Sequence, residues 1–352
     1  MKLTDREWKT FKIGDLFEIK KVQGLPIENY KDGIIPYVST SSVNNGSSNF
    51  ISAPNEAISD KNALSIDPIK GKVFYHPYNF VGRGFSGASI NLLYNKHLTK
   101  YNALFLATAI EKTASSKASY GYLFNGNRLK YGIILLPTTE GKPDYQFMED
   151  YIKEIMRTKR QEYINYARRI LAGGGNTRLI QPLIDKNWKA FRITDIFPSI
   201  QRGKRLVKEK QVAGMIPYVS STAMNNGVDN FIQYDEHNMR KYSNCLSIAN
   251  SGSVGSTFYE PFAFIASDHI THLKNKDFTQ NIYLFIATLG NRLSQKYNFN
   301  REINDSRISR EKIMLPTDDS GNPDYEYMEQ YTQNVMLSKY NDYLQYANNL
   351  NC

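Results

Sequence analysis

The stretch Leu136-Pro137-Thr138-Thr139-Glu140-Gly141-Lys142-Pro143-Asp144-Tyr145, followed by Met148, Glu149 and Tyr151, decides how this chain is organised. It returns as Leu315-Pro316-Thr317-Asp318-Asp319-Ser320-Gly321-Asn322-Pro323-Asp324-Tyr325, followed by Met328, Glu329 and Tyr331. Each copy closes a short apolar run with a Gly-containing turn, and a Pro-Asp pair then opens a long periodic stretch. The Asp suits a helix start, as an N-cap acceptor or as a charge complementing the positive end of the helix dipole. Apolar residues recur at Met148, Tyr151, Ile155, Tyr163, Tyr166 and Ile170, and again at Met328, Tyr331, Val335, Tyr343, Tyr346 and Leu350. Those spacings predict one buried stripe on each of two helices. At 1.5 Å per residue, roughly 27 residues make a helix of ~40 Å. Lys159 and Lys339 interrupt both stripes at the same place. Such a lysine either sets the register of a helix pair or snorkels out of an ordinary core helix.

Working outward, the rest of the chain repeats as well. Trp8 to Phe17 matches Trp188 to Phe197, an offset of 180. Ile35-Pro36-Tyr37-Val38-Ser39 matches Ile216-Pro217-Tyr218-Val219-Ser220, and Asn44-Asn45-Gly46 matches Asn225-Asn226-Gly227. Further blocks pair Asn49-Phe50-Ile51 with Asn230-Phe231-Ile232, and Ala63-Leu64-Ser65-Ile66 with Cys245-Leu246-Ser247-Ile248. Phe74-Tyr75-His76-Pro77 pairs with Phe258-Tyr259-Glu260-Pro261, and Leu104 to Thr108 with Leu284 to Thr288. Blocks in one order with small insertions mean a tandem duplication. The parts before the long helices, roughly 1–140 and 188–319, carry short apolar runs split by Gly, Asn, Ser and Pro, which read as mostly β. Short helices are expected at 101–111 and 280–292. The chain therefore divides into a β-rich unit (1–140), a helix (141–171), a Gly-rich linker (172–187), a second β-rich unit (188–319) and a second helix (320–352). Three glycines, Gly173 to Gly175, suggest a joint that tolerates movement. The fold class is α+β.

Composition narrows the function. The 352 residues carry 44 Lys plus Arg against 34 Asp plus Glu, a net charge of +10. Residues 151–210 alone hold 15 basic and 5 acidic residues, so the excess is concentrated there. A concentrated basic stretch suggests a polyanion partner. No apolar run approaches the ~20 residues that span a bilayer, and residues 1–25 hold no signal-type apolar stretch. The two cysteines, Cys245 and Cys352, form neither a disulfide framework nor a zinc spacing. The expectation is a soluble, cytoplasmic protein with no membrane partner.

Catalytic patterns are missing. No Gly-rich dinucleotide or phosphate loop has the required spacing. Ser251-Gly252-Ser253-Val254-Gly255-Ser256 lacks a following Lys-Ser/Thr and reads as a tight turn between strands. The amino-methyltransferase tetrapeptide (Asn/Asp/Ser-Pro-Pro-aromatic) is absent, and neither Pro-Asp pair has the Glu-x-Lys of a nuclease core. His269 and His272 fall in a predicted strand, where i and i+3 face opposite sides, so a metal pair is not expected. Asp15 and Asp195 recur in both units but sit in a framework block. The expectation is a non-catalytic chain with no metal and no cofactor of its own.

A β-rich unit followed by a long helix, duplicated once, resembles the DNA-specificity (S) subunits of Type I restriction-modification systems, and still more those of BcgI-like Type IIB systems. The resemblance rests on the two copies quoted first and on Ile216 to Ser220 with Asn225-Asn226-Gly227. Gly252-Ser253-Val254-Gly255 leading to Phe258-Tyr259 and to Ala266-Ser267-Asp268-His269 adds to it. The first unit departs at 67–72, read as four residues shorter than its partner, and carries Gly82-Arg83-Gly84-Phe85 where the second has Ala266-Ser267-Asp268-His269. The resemblance implies two target-recognition domains, each reading half of a bipartite site in double-stranded DNA. It implies an antiparallel coiled coil of the two helices as a ruler of ~40 Å, about 12 base pairs of rise. It also implies partner adenine methyltransferase subunits that carry S-adenosylmethionine and are fused to, or accompanied by, a restriction nuclease. The matching stripes place Met148, Tyr151, Ile155, Met328, Tyr331 and Val335 in the helix seam. A protein-interaction scaffold or regulator that uses its helices without DNA is the alternative.

The duplication also sorts DNA contacts. Modules that read different sequences should share scaffold and differ where they touch bases. Tyr37, Asn44, Asn45 and Gly46 with their counterparts Tyr218, Asn225, Asn226 and Gly227 therefore read as framework or phosphate contacts, and a hairpin-type Asn-Gly turn explains much of that sharing. The expected DNA-binding residues lie in divergent loops: Lys20, Lys21, Gln23, Arg83, Ser86, Tyr120 and Arg128 in the first unit. In the second they are Arg202, Lys204, Arg205, Lys208, Ser251, Ser253, Arg301 and Asn304. Arg against guanine and Asn or Gln against adenine are the expected pairings.

Overall fold

A computed structural model describes residues 1–85, 89–173, 177–298 and 300–349. The chain forms two compact units, Met1–Tyr163 and Ile164–Cys352. In the first, Glu7–Lys12 pairs antiparallel with Ile133–Thr139, so the two ends of the β-rich part meet in one sheet. A four-stranded antiparallel sheet comes next, in the order Glu18–Lys21, Asn91–Tyr94, Ala63–Ile66, Val73–His76. A third sheet places Lys31–Val38 between Ser47–Ser52 and Val81–Gly82, the last pairing parallel.

The second unit repeats this plan. Trp188–Arg192 pairs with Lys312–Pro316. Ser199–Arg202, Ile270–Lys274, Cys245–Ala249 and Thr257–Glu260 form the four-stranded sheet. Ala213–Val219 lies between Val228–Ile232 and Phe264–Ala266, again with the last pairing parallel. Register is preserved as well: Leu64 opposes Leu93 as Leu246 opposes Leu273. Short strands without clean alternation result from burial on both faces; Ala63–Ile66 and Cys245–Ala249 are buried at every position.

The short helices are Lys100–Ser115 and Gln280–Gly290, each begun by a threonine whose hydroxyl accepts a backbone N–H. The first extends further than expected at its C-terminal end, and both pack on the four-stranded sheet through residues such as Leu106 and Ile286. The long helices are Tyr145–Ala172 and Tyr325–Asn349. Each is capped by the aspartate of its Pro-Asp pair: Asp144 Oδ1 accepts from Phe147 N at 2.8 Å, and Asp324 Oδ1 from Tyr327 N at 2.9 Å. No helix among the described residues is long and apolar enough to cross a membrane.

The seam expectation needs correcting. Met148 and Met328 are fully buried, but in the cores of their own units. Tyr151 packs edge-on against Phe105, and Tyr331 against Phe285. The first turns of each long helix leave directly from the terminal sheet, so the nearest apolar surface is their own domain, and the stripe is claimed there. Ile155 and Val335, one turn further, are 40% and 43% exposed. Within the second unit, the rings of Tyr166 and Tyr340 meet edge to face with their hydroxyls 3.5 Å apart. Lys159 and Lys339 sit on surface, paired with Glu162 and Asp342 three residues on, and so set no register.

Two loop expectations also change. Gly174, Gly175 and Asn176 lie outside the described residues, as does Leu350. The later part of the linker is tied down: the Arg178 backbone exchanges hydrogen bonds with the Asn334 side chain, and Tyr327 donates to Gln181 O. The loop after Ile66 closes by Asp67 N–H to Lys72 O, and its counterpart by Ala249 N–H to Ser256 O. It is thus two residues shorter than its counterpart. The four-residue difference lies elsewhere, with the opposite sign: Arg83 O accepts from Ile90 N, whereas Ser267 O accepts from Ile270 N. The Ser251–Ser256 segment is a strand connection, as its sequence predicts, with Gly252 and Gly255 at positive φ.

Candidate nucleic-acid interface

Parallel pairing builds the site. Because Phe264–Ala266 runs alongside Tyr218 and Val219, the loops leaving both strands emerge at one end of the sheet. Ser267 N–H donates to Val219 O at 3.0 Å and holds these loops together; Arg83 N–H does the same for Val38 O at 2.8 Å in the first unit. A third loop is pinned from below. Tyr218 Oη donates to Leu206 O at 3.5 Å, as Tyr37 Oη donates to Leu25 O at 2.8 Å. Burial raises both phenol pKa values, so these hydroxyls stay protonated donors. The Asn-Asn-Gly segments are short left-handed turns, with Asn45 at φ 55° and Asn226 at φ 57°. They link longer connections rather than two-residue hairpins. Asn45 Nδ2 donates to Tyr75 O, and Asn226 Nδ2 to Tyr259 O. The shared Tyr and Asn side chains are therefore framework.

In the second unit these loops enclose a cleft of about 530 Å³. Leu206, Tyr218, Ser220 and Asn230 line it and recur in the first unit as Leu25, Tyr37, Ser39 and Asn49. The remaining lining residues diverge. Arg205 stands where the first unit has Gly24, Lys208 where it has Ile27, and Gln211 where it has Tyr30. Ser267, Asp268 and His269 stand against Arg83, Gly84 and Phe85. A neighbouring turn abuts the same edge: Ser251 Oγ lies 2.6 Å from His269 Nδ1, and Ser253 N–H donates to Ser221 O. A shared floor thus carries a rim that differs between the units.

Of the expected contacts, the structure gathers Arg205, Lys208, Ser251 and Ser253 here. Four others are engaged in the fold. Arg202 Nε donates to Asp268 O at 2.9 Å and supports the rim from behind. Lys204 Nζ donates to His237 O at 2.9 Å. Asn304 Oδ1 caps the short helix Asp305–Ile308 by accepting from Arg307 N. Arg128 donates to the carbonyls of Lys117, Tyr122 and Leu123 and lies over the Tyr122 ring at 3.3 Å. Its planar fork clamps a loop, which leaves little of it for a base. Arg301 lies beside the Tyr297 ring, and Ile303 N–H donates to Asn250 O, which joins that loop to the 250s turn.

In the first unit, Arg83 holds the position equivalent to Ser267 and its guanidinium lies 4.4 Å from the Phe85 ring centroid. Lys20 pairs with Glu18 at 3.3 Å along the same strand, while Lys21 and Gln23 are exposed. Tyr120 is 87% exposed. Ser86 lies outside the described residues. Sequence reasoning missed Gln211, Asn230, Asp268 and His269 as cleft residues. For Gln211, Asp268 and His269 the divergence from Tyr30, Gly84 and Phe85 was a usable signal; Asn230 is shared with Asn49 and gave none. His269 and His272 take different partners, His272 bonding Ser199 and Gln201 O. Among the described residues no group of three His, Cys, Asp or Glu could hold a metal ion.

The fold and its two rims define a class. The profile of the Type I restriction modification DNA specificity domain matches residues 5–165 and 185–342; the chain belongs to this family, in two copies, and is a restriction-modification specificity subunit. It is 31% identical over 333 residues to the specificity subunit of the Type II restriction enzyme BcgI from Heyndrickxia coagulans, covering 92% of this chain and 93% of that one. Among solved structures, a Type I restriction-modification S subunit from M. genitalium shares 16% identity at a TM-score of 0.45, covering 100% of this chain and 95% of that one. An HsdS subunit from Thermoanaerobacter tengcongensis shares 14% identity at a TM-score of 0.32, covering 97% and 90%.

Proposed function

We propose that each β-rich unit reads one half of a bipartite site in double-stranded DNA, that the long helices pair antiparallel and set the separation of the half-sites, and that the chain itself is non-catalytic. Methylation then belongs to adenine methyltransferase subunits that carry S-adenosylmethionine, and cleavage to a nuclease fused to or accompanying them, in the cytoplasm. The observation that carries this reading is the shared floor beneath a divergent rim. Two modules of one origin that must recognise different sequences keep the parts that position the backbone and vary the parts that meet base edges. Cations at the rim, Arg205 and Lys208, suit phosphate anchoring, and Arg83 suits a guanine.

The test is the host methylome. Exchanging residues 1–140 for the matching unit of a related subunit should change one half-site and leave the other. Inserting four residues into a long helix adds ~6 Å, about one turn, and should lengthen the spacer by about two base pairs with both half-sites unchanged. Alteration of both half-sites by the exchange, or of neither, would defeat the modular reading.

A further inference from the structure

We infer that Gln211 is a base-reading residue of the second unit, pre-positioned by Asn230 and matched to an adenine edge in the major groove. The inference rests on the DNA-reading assignment proposed above and narrows it to one side chain. Asn230 Oδ1 accepts the Phe231 N–H at 2.8 Å, which establishes which end of its amide is oxygen. Its Nδ2 donates to Gln211 Oε1 at 2.9 Å. The glutamine amide is thereby oriented too: Oε1 meets Asn230, and Nε2 is the end left to donate. An amide held this way offers two N–H donors and a second lone pair on Oε1. Donor and acceptor side by side match adenine, which presents N7 as acceptor and N6 as donor.

The surroundings favour the same reading. Gln211 directly follows the short turn Lys208–Lys210 and lines the cleft with Arg205 and Lys208. Cations on the same loop can anchor phosphates and fix register, which is what an amide needs to meet one particular base. Holding a long side chain before DNA arrives also removes part of the ordering cost of binding. In the first unit the residue after the matching turn is Tyr30, whose hydroxyl accepts the Leu25 N–H at 2.9 Å and whose ring lies 6.1 Å from Tyr37. Asn49 makes the counterpart bond to Phe50 N–H at 2.9 Å. The orienting asparagine is thus common framework, and the second unit alone places a glutamine in its reach.

The experiment selects duplexes from a library randomised across both half-sites, using the full-length chain in complex with its methyltransferase subunits. Gln211→Ala should lower discrimination at one position of one half-site by about 10- to 100-fold, the range of a lost bidentate base contact. Gln211→Glu can still accept from Asn230 but offers no donor, so it should move that position from adenine toward cytosine, whose amine it accepts. Asn230→Ala should relax the same position and no other. Unchanged preference at every position in Gln211→Ala overturns the inference. So does a uniform loss of affinity with an unchanged thermal midpoint, which marks a phosphate contact. A wild-type complex that selects no sequence would sink the DNA-recognition reading itself, and the inference with it.

Discussion

The carboxyl of Asp144 receives hydrogen bonds from the Thr139 hydroxyl, the Arg6 guanidinium and the Phe147 N–H. Burial alone would raise its pKa, but the bonds from Thr139, Arg6 and Phe147 together outweigh it and hold the group below its ordinary value. One residue therefore caps a long helix and ties it to the terminal sheet. Asp144→Ala should destabilise the first unit by about 1–2 kcal/mol near neutral pH, the cost of a lost N-cap. A depressed carboxyl pKa gives stability that is present above the unfolded value and lost as pH falls through the folded one. The gap between wild type and variant should accordingly close below about pH 4. Thermal unfolding at pH 7 and pH 3 measures it; an equal gap at both would rule out the ionised cap.

At the scale of the element, the long helices are divided in their duties. Their first turns complete the cores of their own units, through Met148 and Met328. Beyond that, the same stripe continues through residues such as Ile155 that remain partly in solvent. Met148→Ala should cost ~2–5 kcal/mol, as buried truncations do. Ile155→Ala in the isolated chain should cost under about 1 kcal/mol, the range of a partly exposed site. Denaturant unfolding of both variants decides the matter. Equal costs would mean that Ile155 is covered in solution and that the helix is not partitioned as described.

At the scale of the molecule, one duplicated position has acquired opposite chemistry. His76 and Glu260 occupy equivalent places, both fully buried, each bonded at 2.8 Å to a serine of the adjacent strand, Ser65 or Ser247. Burial lowers the His76 pKa to about 4 and raises that of Glu260 to about 7, so His76 is neutral at physiological pH and Glu260 holds its proton until the pH reaches about 7. For His76, the stability is present above the ordinary histidine value near 6.5 and is lost as pH falls toward 4. For Glu260 it is present below the ordinary value of 4.5 and is lost as pH rises through 7. Each effect is roughly 1–3 kcal/mol. Hydrogen exchange should therefore show Ala63–Ile66 losing protection between pH 7 and 5, and Cys245–Ala249 losing it between pH 5 and 8. Glu260→Gln should abolish the second loss only. Both strands responding in the same direction would contradict the assignment.

Sequence by itself determined the duplication, the α+β class, the β-rich units and the helix starts at Asp144 and Asp324, and it set Tyr37, Tyr218, Asn45 and Asn226 apart from the base-reading loops. These are legible because periodicity, turn residues and caps act over a few neighbours, and because two copies reveal what the fold must keep. Tertiary structure alone decided which surface claims each stripe. The spacing of Met148, Tyr151 and Ile155 is identical whether the partner is another long helix or the core of their own unit, and only the path of the chain out of Ile133–Thr139 gives the first two to that core, where Tyr151 meets Phe105 of the helix Lys100–Ser115. It also decided which polar side chains remain available to a ligand. Arg128 and Asn304 look like contact residues in a divergent loop until their donors and acceptors are traced to carbonyls and a helix cap. Gln211 gains its meaning only beside Asn230, 19 residues away. Hydrogen-bond partners across such separations are set by the packing of strands, and packing is what a linear pattern of residue types does not encode.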